Sequence, residues 1–210
     1  MLRNILLLLF VVLHSSSLLA DSPARPVLVL GDSLSAAYGI NTDQGWVTLL
    51  RDRLQQAQPE RGVVNASISG ETTAGGLARL ENLLTEHKPA LIVVELGAND
   101  ALRGLPLSAP RENLSRILQL SSDADARVLL VGTEIPINYG PQYRDGLRSM
   151  YRDLSEEFNV PLVPFLLEGV ALDPARMQDD GLHPTAEAQP DLLENVWPAL
   201  EKTLNDLVAQ

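Results

Sequence analysis

Residues Pro26 to Ser35 read PVLVLGDSLS: an apolar run that changes abruptly to Gly31-Asp32-Ser33-Leu34-Ser35. A run without polar alternation suits a strand buried on both faces. The same shape recurs at Val63 to Ser67, Leu91 to Glu95 (LIVVE), Arg127 to Val131 (RVLLV) and Val160 to Val163. Between these runs, apolar residues fall at three- and four-residue steps: Trp46, Val47, Leu50 and Leu54; Leu77, Leu80 and Leu84; Leu114, Ile117 and Leu118; Leu147, Met150, Tyr151 and Leu154. Each set makes one apolar stripe on a helix. A final helix is expected from Thr185 onward, with Leu192, Val196, Leu200 and Leu204 on one side. Strand alternating with helix predicts an α/β fold of one parallel sheet, with helices on both faces joined by right-handed crossovers.

Ligands of such a sheet bind beyond the carboxyl ends of its strands. The residues just past the strands are Gly31 to Ser35, then Ser69-Gly70-Glu71-Thr72, then Gly97-Ala98-Asn99-Asp100. After the fifth strand comes Asp179-Asp180-Gly181-Leu182-His183-Pro184. Four polar groups therefore converge on one rim.

A serine hydroxyl is a weak nucleophile and needs a base, usually an imidazole oriented by a carboxylate. The chain has three histidines. His14 falls in an apolar leader, and His87, in Glu86-His87-Lys88-Pro89, falls at a helix end on the opposite rim, where its charge suits the helix dipole. His183 is left as the base for Ser33, and Asp180, three residues earlier, can turn back to hold its other ring nitrogen. Three donors are available to an oxyanion: the backbone N–H of Ser33, where a strand is expected to turn into a helix, the N–H of Gly70, and the neutral side-chain amide of Asn99. Asp100 is assigned to structure. Taken singly, each residue has a plainer role: Ser33 as a helix cap, Gly70 as a turn glycine, Asn99 in an Asx turn, Asp180 and His183 as a surface pair. Their joint placement on one rim is what those roles leave unexplained.

Composition narrows the alternatives. Met1 to Asn4 carry one Arg, Ile5 to Leu13 are wholly apolar, and small residues lead to Ala20. This reads as a secretory signal peptide over residues 1–20, with Ala24 as a second cleavage site, followed by a single domain over 21–210. The apolar run is too short to span a membrane, and no stable membrane anchor is expected. The formal charge is −11, or −12 once Arg3 is removed, which argues against a nucleic-acid partner. Cysteine is absent, so disulfides and thiolate chemistry are excluded. No G-x-x-x-x-G-K-[ST] or G-x-G-x-x-G motif follows a strand, so a nucleotide- or flavin-binding module is unsupported and no cofactor is expected. A metal site built from Asp179, Asp180 and His183 lacks a further His or Cys. The chain is expected to act as a periplasmic or secreted monomer.

These residues resemble the SGNH or GDSL hydrolases. Gly31-Asp32-Ser33-Leu34 matches the GDSL block, Gly70 the second block, Gly97-Ala98-Asn99-Asp100 the third and Asp180-Gly181-Leu182-His183 the fourth. Asn138-Tyr139-Gly140 and Val160 to Phe165 look like the branch of bacterial periplasmic thioesterase I, arylesterase and lysophospholipase enzymes. The resemblance implies Ser33 as nucleophile, Ser33, Gly70 and Asn99 as oxyanion donors, and Asp180 with His183 as the supporting pair. It also implies a flavodoxin-like three-layer αβα sandwich around five parallel strands, with a shallow site and broad tolerance. Position 35 is Ser, which excludes the G-x-S-x-G elbow of the larger α/β-hydrolases. Expected substrates are small esters, thioesters or lysophospholipids, with acetylated sugars as the alternative. Leu102 to Leu107 and Ile135 to Tyr139 either cradle an acyl chain or only cover the sheet edge.

Overall fold

A computed structural model describes residues 24–208. The leader expected over residues 1–20 lies outside them. Strands β1 (Val27–Gly31), β2 (Val63–Asn65), β3 (Leu91–Glu95), β4 (Arg127–Val131) and β5 (Leu162–Val163) form one parallel sheet in the order β2-β1-β3-β4-β5. The chain runs outward from β1 to β2, then returns across β1 to β3 and on to β5. The reversal between β1 and β3 opens a crevice at their carboxyl ends, as in other flavodoxin-like sheets.

Every residue of β1 and β3 is buried, because the apolar runs face helices on both sides. Val27, Val29, Leu91 and Val93 pack against α1 (Trp46–Ala57) and α6 (Gln189–Val208). Leu28, Leu30, Ile92 and Val94 pack against α2 (Thr73–His87), α4 (Ser108–Asp123) and α5 (Pro141–Phe158). Two apolar layers thus sandwich the sheet, and truncating a buried leucine such as Leu50 or Leu80 would cost about 2–5 kcal/mol.

The edge strands are shorter than their apolar runs suggest. Asn65 ends β2: its side-chain Nδ2 donates to Ser35 O at 2.8 Å and its side-chain Oδ1 accepts Ser67 N–H at 3.1 Å, turning the chain out of the sheet. Pro161 shortens β5, since it has no N–H and only accepts, from Leu130 N–H at 3.0 Å. One helix was not foreseen. The short α3 (Ala98–Leu102) starts within the Gly97-Ala98-Asn99-Asp100 group.

Candidate active site

Gly31 of β1 stands in register with Glu95 of β3, so the segments that leave the two strands emerge side by side. Ser33 lies just past β1, and Asn99 lies in the first turn of α3. No helix follows Ser33 directly, contrary to the expectation. The chain instead makes a tight turn, closed by Ala36 N–H to Asp32 O at 3.0 Å and Tyr38 N–H to Ser33 O at 3.1 Å. Ala37 then takes a left-handed φ of 58°, which breaks any helical continuation. Asp32 fixes the turn by accepting Leu34 N–H at 3.0 Å on Oδ1.

His183 is presented by a small looped hairpin. Met177 and Pro184 form an antiparallel bridge, Gln178 N–H donates to His183 O at 2.7 Å, and Gly181 N–H donates to Gln178 O at 2.9 Å. The Gln178 amide ties this loop to the serine turn by donating to Tyr38 O at 2.8 Å, and it also donates to Pro184 O at 2.9 Å. His183 Nε2 lies 2.8 Å from Ser33 Oγ, and its Nδ1 lies 2.6 Å from Asp180 Oδ2. The Tyr38 ring covers the imidazole, with centroids 4.4 Å apart. Asp180 Oδ1 accepts the backbone N–H groups of Leu182 and His183 at 2.9 and 3.0 Å. Partial desolvation pulls the Asp180 carboxyl upward, but the ring hydrogen bond, the two N–H groups and the imidazole together hold it at about 2. It is an ionised orienting group throughout the neutral range. His87 stands at the far end of α2, with Glu86 3.8 Å from its ring, about 20 Å along the helix from the rim.

Gly70 occupies the third position of the turn from Ile68 to Glu71, closed at 3.1 Å by Glu71 N–H. Its φ is +80°, and an added Cβ would meet nothing within 4 Å. Glycine is needed here for the backbone conformation, not for room. Among the described residues, the N–H groups of Ser33 and Gly70 have no hydrogen-bond partner. The Asn99 Nδ2 amide donates to Asp32 Oδ2 at 3.0 Å and keeps a second hydrogen. Asp100 is structural: its carboxylate accepts the Thr73 N–H at 2.9 Å and the Thr73 hydroxyl at 2.6 Å, tying α3 to the start of α2. Ser33, Asp180, His183, Gly70 and Asn99 are thus assembled on the rim where the sequence put them.

The main feature that sequence reasoning missed lies beneath them. Glu95, read only as the last residue of an apolar run, is fully buried, as is Asp32. Glu95 Oε2 accepts the Ser35 hydroxyl at 2.8 Å and the Asp32 N–H at 3.3 Å. Burial pushes the Glu95 carboxyl well above the usual carboxylate range, and the neighbouring charge of Asp32 adds to the shift. Burial also raises Asp32, to about 6, against the downward pull of Leu34 N–H, Glu95, His183 and Asn99. A lone carboxylate closing a wholly apolar strand was the available signal, because such a group is costly to bury unpaired.

A cavity of about 390 Å³ opens over Ser33, lined by Gly70, Asn99 and His183 and by apolar Leu34, Leu102, Pro136, Leu167 and Leu182. The two loops expected near the nucleophile divide: Leu102 and Pro136 reach this cavity, whereas Ile135 enters the core and Ile137 is 80% exposed. Leu107 and Tyr139 line a second depression beside Tyr143. Among the described residues, no group of three or more His, Asp or Glu side chains is arranged to hold a metal ion, and no helix is long and apolar enough to cross a membrane.

The GDSL-like lipase/acylhydrolase family model matches residues 29–189. The chain is 50% identical to esterase TesA of Pseudomonas aeruginosa over 184 residues, 88% of this chain and 92% of the relative. It is 44% identical to an arylesterase of Vibrio mimicus over 204 residues, 97% of this chain and 100% of the relative. Against the thioesterase 1/protease 1/lysophospholipase L1 of Escherichia coli, identity is 44% over 182 residues, 87% of this chain and 86% of the relative. A crystal structure of TesA superposes with a TM-score of 0.83 at 50% identity, covering 85% of this chain and 99% of that one.

Proposed function

The chain belongs to the GDSL-like lipase/acylhydrolase family, and from that premise we propose that it is a serine hydrolase of carboxylic esters and thioesters working through Ser33. In this reading Ser33 Oγ attacks the acyl carbon while His183 Nε2 takes its proton. Asp180 holds the ring by Nδ1 and stabilises the imidazolium. The oxyanion is received by the N–H groups of Ser33 and Gly70 and by the Asn99 amide. His183 then protonates the departing alkoxide or thiolate. In the second half, His183 activates a water that releases the acid from Ser33.

One observation supports this reading above the others: Ser33 Oγ stands 2.8 Å from an imidazole that is itself held at 2.6 Å by a carboxylate. The apolar cavity lining suits the acyl part of an ester, and the relatives named esterase, arylesterase and thioesterase/lysophospholipase favour the same substrate class. The leader expected over residues 1–20 would place the enzyme in the periplasm or outside the cell, where it would act as a monomer without a stable membrane anchor. The deciding test is labelling by a fluorophosphonate probe, read by intact mass. Wild type should gain one adduct and Ser33→Ala none. An adduct that persists in S33A defeats the assignment.

A further inference from the structure

Exposed large apolar side chains are few, and their placement is one-sided. Among the described residues they are Tyr38, Ile68, Ile137, Leu172 and Leu182. Tyr38 lies between β1 and α1, Ile68 between β2 and α2, Ile137 between β4 and α5, and Leu172 and Leu182 between β5 and α6. All five therefore stand in segments that leave the carboxyl ends of strands, on the rim that carries Ser33. The opposite rim exposes Glu60, Lys88, Asp125 and Arg127. Four of the five also border the cavity over Ser33: Tyr38 and Leu182 line it, Ile68 adjoins the lining residue Ser69, and Ile137 adjoins Pro136. Single exposed apolar residues are ordinary on a protein surface, but a set gathered around one opening marks an interaction surface.

We propose that this apolar collar is a docking surface for a lipid aggregate without net charge, against which the enzyme rests reversibly while an acyl chain passes into the cavity. Charge selects the kind of surface. The segments leaving the strands hold two Lys or Arg side chains, and both are engaged: Arg103 donates to Gly70 O at 3.1 Å, and Arg176 pairs with Asp191. The exposed carboxylates of Asp43, Glu168, Asp173 and Asp179 outnumber them. An anionic membrane attracts clustered Lys and Arg and repels such a rim, whereas an uncharged or zwitterionic surface does not. The cavity argues for lipid as the occupant. An ester whose acyl chain fills an apolar cavity is an amphiphile, gathered in water into micelles or bilayers. A chain leaving such an aggregate crosses water at the cavity mouth unless apolar side chains bridge the gap. Ile137 and Leu172, 80% and 98% exposed, stand farthest into solvent and make first contact. A few side chains without a cationic patch or a lipid anchor give weak, reversible attachment.

The proposal rests on the ester-hydrolase reading and adds the physical state of the substrate, so binding and turnover are measured separately. Flotation with vesicles of ether-linked phosphatidylcholine, which has no ester to cleave, reads docking alone. Wild type should float with these vesicles, and several-fold less of it with vesicles in which about a third of the lipid is phosphatidylglycerol. The double variant Ile137→Ser/Leu172→Ser should reduce the floated fraction about tenfold. It should also lower kcat/KM on micellar lysophosphatidylcholine about tenfold, while hydrolysis of soluble p-nitrophenyl acetate stays within about twofold of wild type, which shows that the variant is folded. Wild type that does not float, a double variant that floats as well as wild type, or stronger flotation with the anionic vesicles overturns the docking surface. A dimer seen in sedimentation velocity and lost in the double variant assigns the collar to a second copy of the chain and overturns it too. A wild type that floats as expected but leaves every ester intact overturns the hydrolase reading instead.

Discussion

Asn99 Nδ2 lies 3.0 Å from Asp32 Oδ2, so the amide that borders the cavity is anchored to the residue that precedes Ser33. Asp32 also shapes the serine turn through Leu34 N–H. One carboxylate therefore sets two of the three expected oxyanion donors. Its removal should disturb both sides of the site at once.

Asp32→Asn tests this directly. The new side chain can keep the Leu34 bond through Oδ1, but its NH₂ then opposes the Asn99 NH₂. Asn99 relieves that clash by flipping, and its carbonyl then replaces a donor. We expect kcat to fall by roughly 10- to 100-fold, somewhat less than the loss of a whole donor, with KM for a neutral ester changing less than about threefold. Steady-state kinetics would refute the arrangement if D32N kept wild-type turnover.

Stability should depend on pH in two opposed ways. Asp180 is depressed to about 2, so its contribution is fully present above about pH 4, the ordinary value for Asp, and is lost as pH falls toward 2. Asp32 and Glu95 are raised, so the folded protein holds protons that the unfolded chain has already released. Stability should therefore fall as pH rises above about 4, with Asp32 contributing up to about pH 6 and Glu95 adding to the fall over its own raised range. Each such proton gives a slope of about 1.4 kcal/mol per pH unit. Urea unfolding at several pH values, followed by the fluorescence of buried Trp46 and Trp197, measures this slope. Glu95→Gln should make it shallower. A profile that rises from pH 4 to 6, or is unchanged by Glu95→Gln, contradicts the account.

Acyl selectivity should reside in the apolar wall of the cavity. Leu102 and Leu167 line it, and Leu102 is held in place by Tyr139, whose hydroxyl donates to Leu102 O at 2.7 Å. Leu102→Trp should fill the cavity and lower kcat/KM for p-nitrophenyl decanoate by about tenfold or more, while p-nitrophenyl acetate loses less than about threefold. Equal losses on both esters would place acyl binding elsewhere.

The parts of the molecule legible in the sequence are those encoded locally. Continuous apolar runs marked β1, β3 and β4, and the change from Leu30 to Gly31-Asp32-Ser33 marked a rim. The Asp180 to His183 spacing of three residues gave the supporting pair, since one turn of chain suffices to join them. What escaped depends on neighbours distant in the chain. Nothing near Glu95 reveals that β1 and β3 are in register at Gly31, which is what brings a second carboxylate beneath Asp32. The hold of Gln178 on Tyr38 O likewise links residues 140 positions apart. The turn after Ser33 escaped for a local reason: only the left-handed conformation of Ala37, uncommon for a residue with a Cβ, separates it from a helix start.

The sheet order carries a consequence for when the enzyme can act. Ser33 is reached at the end of the first strand, whereas His183 arrives from a hairpin beyond the edge strand β5 and must lie back across the ends of β4 and β3 to meet it. The closing segment is also held by Gln189, at the start of α6, which accepts the Trp46 N–H at 3.0 Å. In the proposed mechanism, a chain whose C-terminal segment has not docked therefore has Ser33 without its base. Under that mechanism, hydrolysis waits on a contact between residues 150 positions apart in the chain.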